Sequence, residues 1–194
     1  MPDDQTNELR EIAFRKIGRN VVNLQRFERM LKLIIVRSNV KGYASELAKV
    51  HQARTKEASH KTLGSLVREF LKIVYDTEDP HSSDPADDLN EIWLSHAFRI
   101  ESNAGLISRR ERELQEVVEE RNLLIHHWLA EVDFDSVDEC QKLISQLDEQ
   151  NDRLTPHFDW LMQLIGSIQI AQQELAKQLE NQLRESLLEG KDSG

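Results

Sequence analysis

The fold is decided by a stretch near the start of the chain, residues 7–37, which reads NELREIAFRKIGRNVVNLQRFERMLKLIIVR. Its apolar residues recur at intervals of three and four, so they share one face of a helix that turns 100° per residue. These residues are Leu9, Ala13, Ile17, Leu24, Phe27, Leu31 and Ile35. Asn20 lies on the same face, and a buried amide needs a hydrogen-bond partner. The pattern predicts one long amphipathic helix packed along a core, with Gly18 on the same face as a point of close helix approach.

The rest of the chain continues the helical pattern. After a break at Lys41 and Gly42, helices are expected over residues 44–57 and 63–74. Residues 92–100, which include Trp93, also read as a helix. A longer helix then reaches Glu131, after a possible interruption at residues 102–105. A turn over 132–136 precedes a last helix from residue 137 to about 189, bent near Pro156. No strand pattern is visible.

Composition agrees with a helical protein. Glycine and proline together number 11 of 194 residues, roughly half of average usage. We therefore predict an all-α fold, a single domain over residues 1–194 that forms a bundle of about five to seven helices with a long C-terminal helix. Residues 76–90 hold two prolines and six acidic residues and read as an acidic loop. A metal site formed by Asp76, Asp79, His81 and Asp84 is the less favoured interpretation of that loop.

Several classes of protein are excluded by what the sequence lacks. It has no run of 18 apolar residues, so no membrane span is predicted, and its acidic first residues differ from a secretory signal. A single cysteine, Cys140, excludes a disulfide framework and a cysteine-based zinc site, which favours a reduced, cytoplasmic setting. Gly-rich phosphate loops and the common hydrolase motifs are absent. No metal and no cofactor is expected.

Charge is divided unevenly along the chain. The net charge is −10, but residues 1–72 carry 15 Lys and Arg against 8 Asp and Glu, a net of +7, and residues 73–194 carry −17. Such asymmetry indicates either binding of a polyanion or packing of the basic half on the acidic half. On the first helix, four arginines lie within roughly 40° of each other and form a candidate phosphate-binding stripe, unless they are an ordinary solvated face. They are Arg15, Arg19, Arg26 and Arg37.

One local group of residues combines the side chains that phosphodiester chemistry needs. Residues 120–128 read ERNLLIHHW. Helical angles place Arg121 near the centre of an apolar face, where a charge needs a partner or a pocket. Asn122 and His126 are four residues apart and therefore neighbours on a helix. Together these three residues offer charge for a phosphate, orientation and proton transfer. The adjacent His127 is expected to point to another side.

This segment resembles the motif of the HEPN superfamily, an Arg followed by a polar residue and, a few residues later, a His. The resemblance implies a metal-independent endoribonuclease of the toxin or phage-defence kind, with RNA as its substrate. It also implies that His126 assists removal of the 2′-hydroxyl proton, that Arg121 stabilises transition-state charge and that Asn122 orients substrate or His126. In the family, such residues from two protomers commonly face one cleft.

A homodimer is therefore expected, with an interface that involves the face of residues 121–128 and an apolar seam from residue 154 to residue 179. The alternative is that this seam packs on the first helix of the same chain. An antitoxin or other protein partner fits the family, although Trp128 stands where toxins modified by an antitoxin often have Tyr. Because many members have lost catalysis, a non-catalytic HEPN-like RNA- or protein-binding module is the alternative function, and a helical scaffold is a third. A solvent-open cleft around Arg121 would favour the nuclease, and a sealed ion pair would favour the scaffold.

Overall fold

The computed structural model describes residues 4–75 and 93–189. Within these ranges the chain is mainly helical, which confirms the prediction of an all-α fold with a long C-terminal helix. The elements in chain order are α1 (Asp4–Ser38), β1 (Asn39–Tyr43), α2 (Leu47–Ser59), α3 (Leu63–Tyr75), β2 (Trp93–Ala97), α4 (Ala104–Asn122), a π-helical segment (Leu123–Trp128), α5 (Leu129–Glu131) and α6 (Val137–Glu189). The predicted acidic loop, residues 76–90, lies outside the described residues.

The core forms mainly where α1 packs along α6. The two helices run in the same direction, since Asn20 contacts Leu147 and, farther along both helices, Arg37 contacts Gln172. Between these points the Phe27 ring meets the Phe158 ring edge-on, with 6.0 Å between centroids. Fully burying a side chain such as Phe27 contributes about 1.5–3 kcal/mol. The predicted apolar face of α1 is therefore the face that holds the bundle together.

The apolar seam of α6 is covered by the chain itself over most of its length. Leu154, Leu161 and Ile168 are buried in the same core cluster as Phe27 and Leu31 of α1. Farther along, residues 175 and 179 are half-buried. For the buried part of the seam, the structure agrees with the alternative in which it packs on the first helix of the same chain. That part is not available as a surface for a second copy.

Helices α3 and α4 cover the other side of α6. Phe70 of α3 meets the Trp160 ring edge-on, with 5.7 Å between centroids. The guanidinium carbon of Arg110 on α4 lies 3.8 Å from the centre of the same Trp160 ring. Helix α4 begins after Asn103, whose side chain accepts a hydrogen bond from the Leu106 N–H at 2.9 Å. That contact is a typical helix N-cap.

The helix predicted over residues 92–100 is wrong, and so is the expectation of no strand. Residues 93–97 form β2, which pairs antiparallel with β1 so that Tyr43 lies opposite Trp93. Their rings are 4.9 Å apart and nearly perpendicular. In β1, Gly42 has φ +152°, a backbone conformation that favours glycine. The strands are stabilised by a partner about 50 residues away, which no local periodicity can reveal.

None of the helices in the described ranges combines the length and the apolar character that crossing a membrane requires.

Candidate functional site

The predicted motif lies where α4 passes into the π-helical segment. The inner side of this region faces the core as predicted: Leu114, Val117 and Leu124 are buried. Val118, Ile125 and Trp128 are partly buried against the same cluster. On the outer side, Asn122 and His126 are exposed. The apolar pattern was therefore sufficient to orient this helix, and it leaves the polar residues of the motif at the surface.

The π-helical segment brings Arg121 and His126 together. In a π-helix the backbone hydrogen bonds join residues five apart, so the turn is wider than in an α-helix. Arg121 and His126 are five residues apart, and Nη1 of Arg121 lies 3.3 Å from Nε2 of His126. The same Nη1 donates to Oδ1 of Asn122 at 3.1 Å. The structure thus joins the three predicted residues in one hydrogen-bonded group, which we call the Arg121 site.

The expectation that Arg121 lies at the centre of the buried face is wrong. Its side chain is half-buried, and its hydrogen bonds to Asn122 and His126 lie at the exposed surface. A long arginine side chain can cover apolar surface with its stem while the guanidinium reaches water. Across the described ranges, no carboxylate lies within ion-pair distance of Arg121. The guanidinium therefore keeps an uncompensated positive charge at an open surface.

The contact between Arg121 and His126 also determines the state of the imidazole. An arginine side chain only donates hydrogen bonds, so Nε2 of His126 must offer its lone pair, and the ring proton then lies on Nδ1. Protonation of Nε2 would replace this hydrogen bond by repulsion between two donors. Nε2 is therefore the atom that can take up a proton after Arg121 releases it, and it lies beside the group able to bind an anion.

The neighbouring His127 takes no part in the Arg121 site. Its Nδ1 lies 3.6 Å from Oε1 of Glu131, one turn later in the chain. The prediction that the two adjacent histidines point to different sides is confirmed. Among the residues that the structure describes, no group of three or more His, Cys, Asp or Glu side chains could hold a metal ion. The less favoured metal site at residues 76–84 lies outside them.

A buried polar network behind the Arg121 site was missed by sequence reasoning. Gln150 of α6 is fully buried, and its Nε2 donates to both the carbonyl oxygen and the Oε2 of Glu120, at 2.9 and 3.0 Å. Its Oε1 accepts from Nδ2 of Asn20 at 3.0 Å. Glu120 is also paired with Arg153 at 2.6 Å. The prediction that buried Asn20 needs a partner is confirmed, and that unusual asparagine was the one signal that pointed to this network.

The arginine stripe on α1 is divided by the structure. Arg15 and Arg26 are exposed, and Arg37 is half-buried. Arg19 instead lies 3.2 Å from Oδ1 of Asp148 on α6 and donates to the Leu147 carbonyl at 3.0 Å. The prediction that Arg19 belongs to one open stripe is therefore wrong, because an acidic residue of the second half faces it. Packing of the basic half on the acidic half explains this part of the charge asymmetry.

Asp148 is the centre of that ion-pair group. Lys16 donates to its Oδ2 at 2.6 Å, and Arg19 contacts its other oxygen. The hydrogen bond from Lys16, supported by that from Arg19, holds the pKa of the Asp148 carboxyl below its ordinary value. Arg10 contacts Asp135 in a similar way at 3.2 Å. These contacts fasten α1 to α6 and the turn before it.

Comparison of the chain with protein-family models, with curated proteins and with solved structures finds no match. Membership of the HEPN superfamily accordingly stays a prediction that rests on residues 121–126 and their arrangement.

Proposed function

We propose that the protein is a metal-independent endoribonuclease of the HEPN type, which cleaves RNA by attack of a 2′-hydroxyl on the adjacent phosphate. One observation carries the proposal: the guanidinium of Arg121 and the Nε2 of His126 lie 3.3 Å apart at an exposed surface. An anion-binding group and a proton acceptor within one hydrogen bond of each other are what this reaction requires. Arg121 also has no carboxylate partner among the described residues that would compete with a phosphate.

The chemistry follows from these positions. As the phosphate of the RNA draws Nη1 of Arg121 toward itself, Nε2 of His126 is freed and accepts the proton of the 2′-hydroxyl while the 2′-oxygen forms a bond to phosphorus. Once protonated, His126 cannot accept from Arg121 again, so Nη1 stays with the phosphate as its negative charge develops. Asn122, which is hydrogen-bonded to the same Nη1, orients the guanidinium. The bond from phosphorus to the 5′-oxygen then breaks and leaves a 2′,3′-cyclic phosphate and a 5′-hydroxyl.

The departing 5′-oxygen needs a proton, and the Arg121 site holds a single imidazole. A second copy of the chain, related by a two-fold axis near residues 121–128, would bring a second His126, which can act as the acid once it has released Arg121 and taken up a proton. The active species in this proposal is therefore a homodimer. Such an enzyme would work in the cytoplasm as a toxin or in phage defence, and an antitoxin or another protein partner could restrain it.

RNA binding is assigned to the arginines of α1 that remain open. Arg15 and Arg26 are exposed, Arg37 is half-buried, and within the described ranges none of the three has a carboxylate at ion-pair distance. Such cations bind phosphates through release of counterions, so their contribution weakens as salt rises. The same face would serve a non-catalytic RNA-binding module, which is the second candidate function.

A cleavage assay with matched histidine variants tests the proposal. We expect the purified protein to cut RNA in the presence of EDTA and to leave 2′,3′-cyclic phosphate ends. His126→Ala should lower the rate by about 10² or more, because the proton acceptor is lost. His127→Ala is the control, since His127 is equally exposed in the same segment but contacts Glu131. Light scattering on the same sample should give about twice 22.6 kDa.

Three results would contradict the proposal in part or as a whole. Full activity in a folded His126→Ala variant contradicts the mechanism. A monomer at micromolar concentration contradicts the shared site. Salt-sensitive RNA binding without any cleavage would replace the nuclease by the binding module.

A further inference from the structure

Gln150 is a fully buried amide that joins three helices. It lies on α6, receives a hydrogen bond from Asn20 of α1 and gives two to Glu120 of α4. Both ends of its amide are therefore used. Buried polar side chains are costly unless they are paired in this way, so the position favours an amide over an apolar residue of similar size. What distinguishes Gln150 is the acceptor it reaches, a main-chain carbonyl in the last turn of α4.

That carbonyl lies just before the π-helical segment. Glu120 is the third residue before Leu123, where the backbone changes from α-helical to π-helical hydrogen bonding. A side chain that enters the main-chain hydrogen-bond ladder is one recognised cause of such a local change, because it occupies a carbonyl that the next turn would otherwise use. The Glu120 carbonyl oxygen accepts from Nε2 of Gln150 at 2.9 Å and also from the Leu123 N–H. Both of its lone pairs are then used, and neither remains for the Leu124 N–H, which would be its donor in a regular α-helix.

We infer that Gln150 is a positioning residue for the Arg121 site. By occupying the Glu120 carbonyl, it stabilises the wider turn in which Arg121 and His126, five residues apart in sequence, come into contact. Within the part of the chain that the structure describes, Gln150 makes no hydrogen bond to Arg121 or His126, so its effect passes through the main chain. The importance of this role for catalysis rests on the proposed function, but the structural effect on His126 does not.

The chain offers a matched control at the next residue. Asn151 also lies on α6 and accepts a hydrogen bond from Asn23 of α1 at 3.0 Å. Its side-chain bond joins the same two helices but does not extend to α4. Loss of this bond should cost stability without changing the Arg121 site. A comparison of Gln150 with Asn151 therefore separates positioning of the site from general support of the helix pair.

The ring tautomer of His126 provides a readout that does not depend on activity. Nitrogen-15 NMR distinguishes a histidine with its proton on Nδ1 from one with its proton on Nε2, the form that prevails in free histidine. We expect the Nδ1–H form in the native protein, because Nε2 accepts from Arg121. Gln150→Met keeps the side-chain length but removes the donor, and it should shift His126 to the Nε2–H form. Asn151→Ala should leave the Nδ1–H form unchanged.

Cleavage of RNA should follow the same pattern, with a fall in kcat of about tenfold or more for Gln150→Met and little change in KM. A folded Gln150→Met protein that keeps the Nδ1–H form would overturn the inference, and so would an equal shift in Asn151→Ala. If Gln150→Met does not fold, Gln150→Lys decides, because its ammonium can still donate to Glu120. That variant should keep the Nδ1–H form, and loss of that form would equally overturn the inference.

The two proposals can fail separately. A tautomer that depends on Gln150 in a protein without nuclease activity would leave the positioning role standing and remove the proposed function. Nuclease activity that depends on His126 but does not change in the Gln150 variant would support the proposed function and contradict the positioning role.

Discussion

Arg19 on α1 and Arg121 at the end of α4 are both arginines that helical angles associate with a candidate phosphate site, yet their surroundings differ. Arg19 donates to Asp148 and to the Leu147 carbonyl, and so it fastens α1 to α6. Arg121 instead hydrogen-bonds to Asn122 and His126, which are close to it in sequence, and no carboxylate among the described residues pairs with it. The difference shows that helix angle alone cannot separate a structural arginine from an available one. Whether an arginine is paired or available depends on the partner that a distant part of the chain contributes.

The largest expected effect separates these two arginines by function. Arg121→Ala should reduce RNA cleavage by about 10² or more, because the charge facing the phosphate is lost, and should change the free energy of unfolding by less than about 0.5 kcal/mol. Arg19→Ala should have the opposite profile, with cleavage retained and a loss of up to about 1 kcal/mol of stability. Single-turnover cleavage and urea unfolding of both variants measure this. Equal profiles for the two would contradict the distinction.

Much of the fold could be predicted because its main elements are long and periodic. The apolar face of α1 and the inner face of α4 follow from spacing alone. The two strands could not be predicted, because Trp93 becomes part of a strand only by pairing with Tyr43, which lies 50 positions earlier in the chain. In the same way, the three residues of the Arg121 site were found from their types, but the π-helical turn that joins them depends on Gln150, nearly 30 residues later. Contacts between remote elements carry the information that local patterns lack.

A second prediction concerns a substitution that should stabilise α1 without altering either arginine. The expectation that Gly18 marks a close helix approach is wrong, since a Cβ built at Gly18 meets nothing within 4 Å. Gly18→Ala should therefore raise the free energy of unfolding by about 1 kcal/mol, because alanine loses less backbone entropy in a helix. Thermal unfolding measures the gain, and the cleavage rate should stay unchanged.

Gly42→Ala is the contrasting control for Gly18→Ala. Gly42 has φ +152°, where alanine is strained, so that variant should be less stable than the native protein. A destabilised Gly18→Ala would mean that α1 has a neighbour on its exposed side.

The smallest expected effect concerns the partner of Arg19. The Lys16 hydrogen bond lowers the pKa of Asp148 in the folded protein. Ionised Asp148 therefore stabilises the fold at pH values above 3.8, the ordinary pKa of this carboxyl. That contribution is lost as the pH falls through the folded-state pKa. Asp148→Asn should lower the free energy of unfolding by about 0.5 kcal/mol at pH 7, a small value because the pair is partly exposed. The difference in stability from the native protein should shrink toward zero below pH 3.8. Urea unfolding at several pH values tests this, and a difference that persists in acid would contradict it.

The parallel packing of α1 on α6 has a consequence for how the protein is made. Asn20 and its acceptor Leu147 are separated by 127 positions in the chain. At about 5–20 residues per second, a ribosome needs roughly 6–25 s to synthesise that interval. During this time the part of the apolar face of α1 that packs on α6 has no permanent cover, and its closure must also overcome the entropy of a long loop. The packing of α1 on α6 is thus completed only after α6 has been synthesised, and until then that part of its apolar surface stays open to other contacts.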